Sequence, residues 1–238
     1  MGLKRTAAVL LDGIGAGDPL RAGVAAWHRR AHRRASPALV RDYLGREAVR
    51  KLHIGASDKS LPGWLNTDIE RHPGVAYLDC TRPFPFESDT FDYVYSEHFI
   101  EHLERDQGVA CLREVLRCLK PGGVFRLATP DLEQYVGLFA PTLGAEQQRY
   151  LDQFRQLFGL ASLTPCGLLN LAMHSWGHRF LYTRAELAEE LRRAGFGRVD
   201  SVDVGDSRQP ALRGIEQHQK FCGEEMNRFE TFVLEATK

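Results

Sequence analysis

The sequence lacks several features that mark membrane, secreted and metal-binding proteins. It has no run of about 18 apolar residues, so a membrane-spanning helix is not predicted. The apolar run Ala7–Leu11 is followed by Asp12 and is too short for the core of a signal peptide, so we expect a cytoplasmic protein. The cysteines form no C-x-x-C pair and no zinc-ligand spacing, which favours reduced thiols. They are Cys80, Cys111, Cys118, Cys166 and Cys222.

An excess of charge of either sign is also absent. The 31 Lys and Arg residues are balanced by 31 Asp and Glu residues, so the formal net charge is zero at pH 7. A neutral chain is not built as a binder of polyanions, and the catalytic tetrapeptide D/N-P-P-Y/F does not occur. We therefore expect no nucleic-acid partner, although Arg29–Arg34 is basic. The 238 residues, of which 43% are hydrophobic, suffice for one sizeable α/β domain.

Residues 1–49 differ in composition from the rest and are predicted to form a basic helical arm. Residues 21–51 carry nine Lys or Arg and two acidic residues, and the stretch AAWHRRAHRRAS is compatible with a helix. Two interpretations stay open. The arm contacts an acidic partner or an anionic membrane surface through residues 21–51, or it lies over the core through Trp27.

Strand and helix signals alternate from Lys51 onward, which favours a parallel sheet with helices on both faces. Helical spacing of apolar residues marks Gly108–Leu119, and KPGG at Lys120–Gly123 ends this helix. We therefore predict a domain of residues 50–238 that stays folded without residues 1–45. Its predicted strands are Lys51–Gly55, Leu65–Ile69, Val75–Asp79, Phe91–Ser96, Val124–Asp131, Arg198–Val204 and Glu230–Thr237.

Helical signals also follow the fifth strand. Residues 131–182 are predicted to form a helical insert, which serves as a lid. The sequence TRAELAEELRRAGF, at Thr183–Phe196, predicts a helix in which Thr183 and Glu186 form a capping box and Gly195 ends the helix.

The stretch RKLHIGASDKSLPGWLNTDIE, from Arg50 to Glu70, has the pattern of a strand, a turn and a second strand that ends in an acid. It lacks the G-x-G-x-x-G fingerprint of a dinucleotide site, because no second glycine follows Gly55 until Gly63. A pyrophosphate needs several free backbone amides, so a nicotinamide dehydrogenase is not favoured. A ligand with one carboxylate and a ribose requires fewer backbone amides than a pyrophosphate does. Asp68 can accept both ribose hydroxyls, or it is a solvated acid at a strand end.

Two further strand ends carry polar residues. Asp79 and Cys80 end the third strand, where a side chain and a backbone amide can contact an adenine edge, although Asp79 can instead cap the following turn. Ser96 and Glu97 end the fourth strand, beside Gly55 in a doubly wound order, although Ser96 can also cap the next helix.

The order and spacing of several pieces carry a resemblance to a known family. They are the acid at Asp79, the segment PFPFESDTFDYVYS, EH at Glu101–His102 and LREVLRCLKPGG before the fifth strand. With these pieces the chain resembles a class I S-adenosylmethionine-dependent methyltransferase of the type 11-like kind. The resemblance is strong over residues 50–131, looser over residues 174–196 and absent from residues 1–49.

The resemblance departs from the usual family pattern in the first motif. Only about nine residues separate Gly55 from Leu65, so the helix that normally joins the first two strands is expected to be shortened or lost. The chain is therefore similar to a subgroup with a shortened first motif and a second strand like GWLNTDI.

The resemblance implies S-adenosylmethionine as cofactor and methyl transfer as the reaction. The implied fold is a Rossmann-like, doubly wound, mostly parallel seven-stranded sheet with an antiparallel last strand. The implied contacts are Gly55 and Ala56 under the methionine, Asp68 at the ribose, Asp79 and Cys80 at the adenine, and Ser96 and Glu97 at the methionine and sulfonium.

Histidines are candidates for removing a proton from the methyl acceptor, because the pKa of imidazole suits general-base catalysis. His98 is expected nearest the transferred methyl group, whereas His102 is expected to anchor a helix. The segment MHSWGHRF places His174 and His178 either in an acceptor lid or in a packed turn. No carboxylate or cysteine spacing marks these histidines as metal ligands, so no metal is expected.

We predict O-methylation of a small molecule or of a glycan hydroxyl. The alternative function is a non-catalytic partner subunit or binding module with the same fold. The thin loop at Gly55 and the basic arm keep this alternative open.

Overall fold

The computed structural model describes residues 19–238, with side chains from Arg30 onward. Residues 1–18 of the predicted arm, the run Ala7–Leu11 among them, and the side chain of Trp27 lie outside the described residues. Within the described part, none of the helices combines the length and the apolar character that crossing a membrane requires.

A seven-stranded sheet forms the centre of the fold, with the strand order β3-β2-β1-β4-β5-β7-β6. Neighbours from β3 to β5 are parallel, and β7 runs antiparallel between β5 and β6. The predicted Rossmann-like sheet with an antiparallel last strand is confirmed. The strands are β1 Lys51–Ile54, β2 Leu65–Asp68, β3 Ala76–Tyr77, β4 Phe91–Glu97, β5 Leu119–Pro130, β6 Arg198–Val202 and β7 Thr231–Thr237.

Eight α-helices accompany the sheet in the described residues. They are α1 Pro19–Arg46, α2 Arg105–Cys118, α3 Leu132–Gly137, α4 Ala145–Leu157, α5 Pro165–His174, α6 Arg184–Ala194, α7 Gln219–Cys222 and α8 Glu224–Glu230. The described backbone between β1 and β2 contains only turns and bends, so the expected loss of the first crossover helix is confirmed.

Helix α1 is joined to the sheet by buried contacts. His32 Nε2 lies 2.8 Å from the carbonyl oxygen of Val75, and the amide of Tyr77 donates to Ser36 Oγ. Tyr43 belongs to the main hydrophobic core, and its hydroxyl bonds to the backbone of Lys51. Deleting residues 1–45 would remove these partners, and the expectation that the rest stays folded without them stays a prediction. The domain boundary at residue 49 itself stays a prediction.

Local signals around α2, β5 and α6 are partly confirmed. KPGG lies in the first residues of β5, directly after α2. The pairing of β5 with β4 is irregular there, since its register shifts between Phe91 and Tyr93 of β4. Thr183 Oγ1 accepts the amide of Glu186, and Gly195 ends α6 with a φ of 112°. The Glu186 side chain does not complete the capping box and instead lies near Arg105.

The cysteines divide into two groups. Cys80, Cys111 and Cys118 are buried, as expected for structural thiols. Cys166 is exposed on α5, and Cys222 on α7 is half-buried.

The predicted insert packs as a second hydrophobic cluster beside the main core. Helices α3, α4 and α5 contribute Tyr135, Tyr150, Phe154 and Leu168, which pack with Phe229 of α8. This arrangement places the insert over the carboxyl ends of β4 and β5.

A buried cation ties the strands β5 and β7 to the segment that precedes α7. The Arg126 side chain is fully buried and donates to Glu235 at 2.7 Å, to Glu216 at 2.6 Å and to the carbonyl oxygen of Asp206 at 2.7 Å. Burial raises the pKa of Glu216, although the charge of Arg126 opposes the effect. The sequence shows Arg126 only as a member of an apolar strand.

Candidate functional site

The strand order reverses between β1 and β4, and this is where an open α/β sheet binds its ligand. Gly55 follows β1 with a φ of 69°, a left-handed conformation that glycine adopts without strain. The amide of Ala56 donates to the carbonyl oxygen of Thr67, so the chain turns tightly against β2. The predicted loop is therefore a compact turn with few free amides.

Asp68 holds this turn together. Its Oδ2 accepts the amide of Ser57 at 2.9 Å, and its Oδ1 accepts the amide of Glu70 at 2.8 Å. A carboxylate has about four acceptor positions, so two backbone bonds leave room for ribose hydroxyls. Asp68 is therefore more than a solvated acid at a strand end, and its role at the ribose stays a proposal.

Phe99 lies directly over Gly55 and was not predicted from the sequence. A Cβ atom added at Gly55 would stand 2.6 Å from Cδ2 of the Phe99 ring. Two separate features therefore require glycine at position 55. The positive φ disfavours any side chain, and the Phe99 ring leaves no room for one.

Replacing Gly55 with alanine is expected to lower the free energy of unfolding by about 1–3 kcal/mol, because a strained φ and a clash with Phe99 act together. Gly74→Ala is the matched control. Gly74 has a φ of 72° and no heavy atom within 4 Å of an added Cβ, so it reports the backbone strain alone. Urea unfolding of both variants measures the difference, and equal losses would contradict a role for the Phe99 contact.

Asp79 and Cys80, the residues expected at the adenine, make local contacts after β3. Asp79 Oδ1 accepts from the amide and the hydroxyl of Thr81, and Oδ2 pairs with Arg82 at 3.1 Å, so Asp79 caps a turn. Cys80 is buried, and burial and the neighbouring Cys111 raise its pKa well above the usual value. Asp79 also lines a cavity of about 670 Å³ between α1 and this turn. An adenine contact at either residue stays a proposal.

Ser96 and Glu97 are buried at the end of β4. The Glu97 carboxylate accepts the amide of Gln217 at 2.9 Å and that of His218 at 2.8 Å. These bonds fix the segment before α7 against the carboxyl end of β4. A contact of Ser96 or Glu97 with the methionine moiety stays a proposal.

His98 is held by three neighbours. Its Nε2 lies 3.1 Å from Thr231 Oγ1, its Nδ1 lies 3.3 Å from Glu101 Oε1, and its ring stacks on His218 at 3.8 Å. Burial lowers the pKa of His98, but the contact with Glu101 and the charges of Glu101 and Glu230 outweigh burial, so the net pKa is raised.

Glu101 is fully buried in the turn after β4. Its Oε2 accepts the hydroxyl of Thr129 at 3.0 Å. Burial raises the pKa of Glu101, but the contact with His98 and the charges of His98, His102 and His178 outweigh burial, so the net pKa is lowered to about 2. Glu101 is therefore ionised at neutral pH.

A second group of polar residues, around Glu230, was missed by sequence reasoning. Glu230 ends α8 and accepts from the hydroxyl of Tyr150 and from His218 Nε2 at 2.9 Å. Burial raises the pKa of Glu230, but His218 outweighs it and the net pKa is lowered. The only signal in the sequence was the acid at the start of a predicted strand, and nothing indicated its partners.

His98, His218 and Glu230 line a cavity of about 200 Å³ between the end of β4, the insert and α7–α8. Its walls are mostly aromatic and include Tyr135, Phe154, Phe158, Trp176 and Phe221. His102 and His178 also line it. His174 is exposed at the end of α5 and lies outside this lining, so the structure does not bring this predicted catalytic residue to the cavity.

The fold is an open α/β sheet, and Gly55, Asp68 and Ser96 lie at the carboxyl ends of β1, β2 and β4. Residues 57–127 match the sequence profile of a family described as a methyltransferase domain. Over these residues the chain is therefore similar to a methyltransferase domain. A search of the curated proteins finds no match.

Solved structures with similar folds have low sequence identity. A methyltransferase from Archaeoglobus fulgidus is 16% identical, with a TM-score of 0.47 and coverage of 87% of this chain and 96% of its own. One from Mesorhizobium loti is 18% identical, with a TM-score of 0.45 and coverage of 85% and 96%. Phosphoethanolamine N-methyltransferase 2 from Haemonchus contortus, in complex with S-adenosyl-L-methionine, is 16% identical, with a TM-score of 0.41 and coverage of 85% and 52%.

Proposed function

We propose that the chain methylates a hydroxyl oxygen of a small molecule, or of one sugar unit of a glycan, in the aromatic cavity. The observation that supports this function is the cavity's size and lining. At about 200 Å³ it is smaller than the roughly 300–1,000 Å³ of common ligand pockets, which suits a single ring. Aromatic faces pack well against a phenol or a sugar ring.

The charges around the cavity favour a neutral acceptor. Glu230 is buried and already paired with His218 and Tyr150, so it has little free charge for a cationic amine. Imidazole rings at His98 and His178 can accept or orient a hydroxyl proton. Burial lowers the pKa of His178, so this ring is neutral at neutral pH.

S-adenosylmethionine supplies a methyl group that is already activated on a sulfonium, so the protein contributes alignment and exclusion of water. The carboxylate of Asp68 fits the ribose of this cofactor, because Asp68 retains acceptor positions. Gly55 and Ala56 would lie under its methionine moiety. His98 would receive the acceptor proton, and His178 would orient the acceptor. In this proposal Ser96, Glu97, Asp79 and Cys80 line or support the cofactor side of the site.

The basic face of α1 carries a second proposal. The side chains of Arg30, Arg33 and Arg34 are exposed, which supports contact with an acidic partner or an anionic membrane surface. The cytoplasmic location stays a prediction.

The test of the function starts with calorimetric titration of the full chain with S-adenosylhomocysteine and, as control, with NAD. Glycans and small phenols are then screened with S-adenosylmethionine for a mass increase of one methyl group. Binding of S-adenosylhomocysteine together with a methylated hydroxyl compound supports the proposal. Binding without transfer to any compound would favour a non-catalytic binding module.

Replacing Asp68 with alanine is expected to weaken S-adenosylhomocysteine binding roughly 10- to 100-fold, since hydrogen bonds to a charged group contribute about 1.5–3 kcal/mol each. Asp68→Asn retains one acceptor oxygen and is expected to lose less. Asp58→Ala, an exposed acid in the same loop, is the matched control. Because Asp68 also accepts two backbone amides, thermal melts without ligand separate loss of stability from loss of affinity. Parental affinity in Asp68→Ala would contradict the ribose assignment.

A further inference from the structure

Three potential metal ligands converge beside the aromatic cavity. Glu101, His102 and His178 each offer one ligand atom, and the three atoms lie within 4.8 Å of one another. Glu101 and His102 are adjacent in the turn after β4, and His178 comes from the loop between α5 and α6. The amides of Arg179 and Phe180 both donate to the carbonyl oxygen of Glu101, at 2.7 and 3.2 Å. These backbone bonds fix the two segments against each other.

Two polar atoms of this cluster are buried without a hydrogen-bond partner. They are Glu101 Oε1 and His178 Nδ1. Glu101 Oε1 accepts no hydrogen bond but forms an ion pair with His98 Nδ1 at 3.3 Å. A buried polar atom without a hydrogen-bond partner is unfavourable, so His178 Nδ1 favours a ligand, and Glu101 Oε1 can accept one in addition to its ion pair.

We propose that Glu101, His102 and His178 bind a divalent transition-metal cation, with Zn²⁺ as the type case. Two imidazoles and one carboxylate are the protein ligands of a zinc site that keeps one position open. Mg²⁺ and Ca²⁺ fit less well, because they prefer oxygen ligands. Sequence spacing excluded a metal because His178 is distant in the chain and only the fold brings it to Glu101 and His102.

A second cluster of potential metal ligands is a weaker candidate for a cation site. His218, Cys222 and Glu230 also place their ligand atoms within 4.8 Å of one another. Here the atoms already have partners, since His218 Nε2 lies 2.9 Å from Glu230 and Cys222 Sγ donates to the carbonyl oxygen of His218. A cation at this cluster would have to replace bonds that the protein already makes.

The cation site goes beyond methyl transfer and does not depend on the proposed acceptor. His102 and His178 line the aromatic cavity, so an open coordination position on that side would bind an acceptor oxygen and lower its pKa. That catalytic role rests on the proposed function, whereas binding of the cation can be measured without any acceptor.

The experiment uses the full chain, freed of metal by a chelator and titrated with ZnCl₂ by calorimetry. One equivalent of Zn²⁺ is expected to bind and to raise the melting temperature. His102→Ala and His178→Ala are each expected to weaken binding at least about tenfold, in line with the loss of one ligand. His102 is exposed, so its replacement spares the core. His174→Ala, at an exposed histidine outside the cluster, is the matched control.

Cobalt substitution distinguishes the two clusters. Co²⁺ bound by Glu101 and two histidines is expected to show visible d–d bands without a thiolate charge-transfer band, and Cys222→Ala is expected to leave them unchanged. The proposal is overturned if Zn²⁺ does not bind, if binding survives His102→Ala and His178→Ala, or if Cys222→Ala abolishes it. Titration of the same variants with S-adenosylhomocysteine shows separately whether the cofactor site is intact.

Discussion

Replacing His98 with alanine is expected to lower turnover about 10²- to 10⁴-fold, the usual contribution of a general acid or base. His98 lines the aromatic cavity, and the neighbouring Glu101 carboxylate raises the pKa of His98. A raised pKa makes the imidazole a stronger base, although a smaller fraction of it is unprotonated at neutral pH. Affinity for S-adenosylhomocysteine should stay nearly constant, because His98 is assigned to the acceptor side.

The His98 prediction is checked by steady-state kinetics on the acceptor that the mass screen identifies, with calorimetry in parallel. His98→Gln retains a polar side chain and controls for lost packing against His218. His174→Ala controls for a histidine outside the cavity and should leave kcat unchanged. If His98→Ala lowers kcat only as little as His174→Ala does, His98 is not a general base. The protein would then contribute only by aligning the acceptor with the cofactor.

Replacing Arg126 with leucine is expected to lower the free energy of unfolding by about 3–5 kcal/mol, because breaking a buried ion pair leaves uncompensated charge. The guanidinium is fully buried between Glu216 and Glu235, which would lose their counter-charge together. Arg126 therefore stabilises the junction of β5, β7 and the segment before α7, although burying it has a desolvation cost of its own.

Urea unfolding measures the effect of Arg126→Leu. Arg198→Ala is the matched control, because Arg198 pairs with Asp200 on the exposed face of β6 and such pairs contribute about 0–1 kcal/mol. Adding Glu216→Gln and Glu235→Gln to Arg126→Leu should restore part of the loss, since the orphaned charges are then removed. A loss below about 1 kcal/mol for Arg126→Leu would show that water reaches the carboxylates.

Local sequence patterns predicted the fold because each strand and helix carries its own signal. The alternation of apolar runs and turns placed all seven strands, and the short spacing from Gly55 to Leu65 predicted the missing crossover helix. The cap at Thr183 and the end at Gly195 were also readable, because they depend on neighbouring residues.

The candidate site was only partly predictable, because its key contacts join residues far apart in the sequence. The sequence showed Glu97 as a strand-end acid, but not that it holds the amides of Gln217 and His218. Glu230 was assigned to the start of a strand, whereas it ends α8 and meets Tyr150. Such pairs leave no spacing that a periodicity argument can detect.

The central position of β7 has a consequence for the order in which the protein assembles. Strand β6 has its ladder with β7 alone among the described strands, and β7 lies between it and β5. Strand β6 therefore cannot join the sheet until β7, which is made after it, has been synthesised. Glu230 immediately precedes β7, and Glu97 holds the segment at residues 217–218, so the aromatic cavity closes only in the same late step. A nascent chain that stops short of β7 would have the loop at Gly55 but not the complete aromatic cavity.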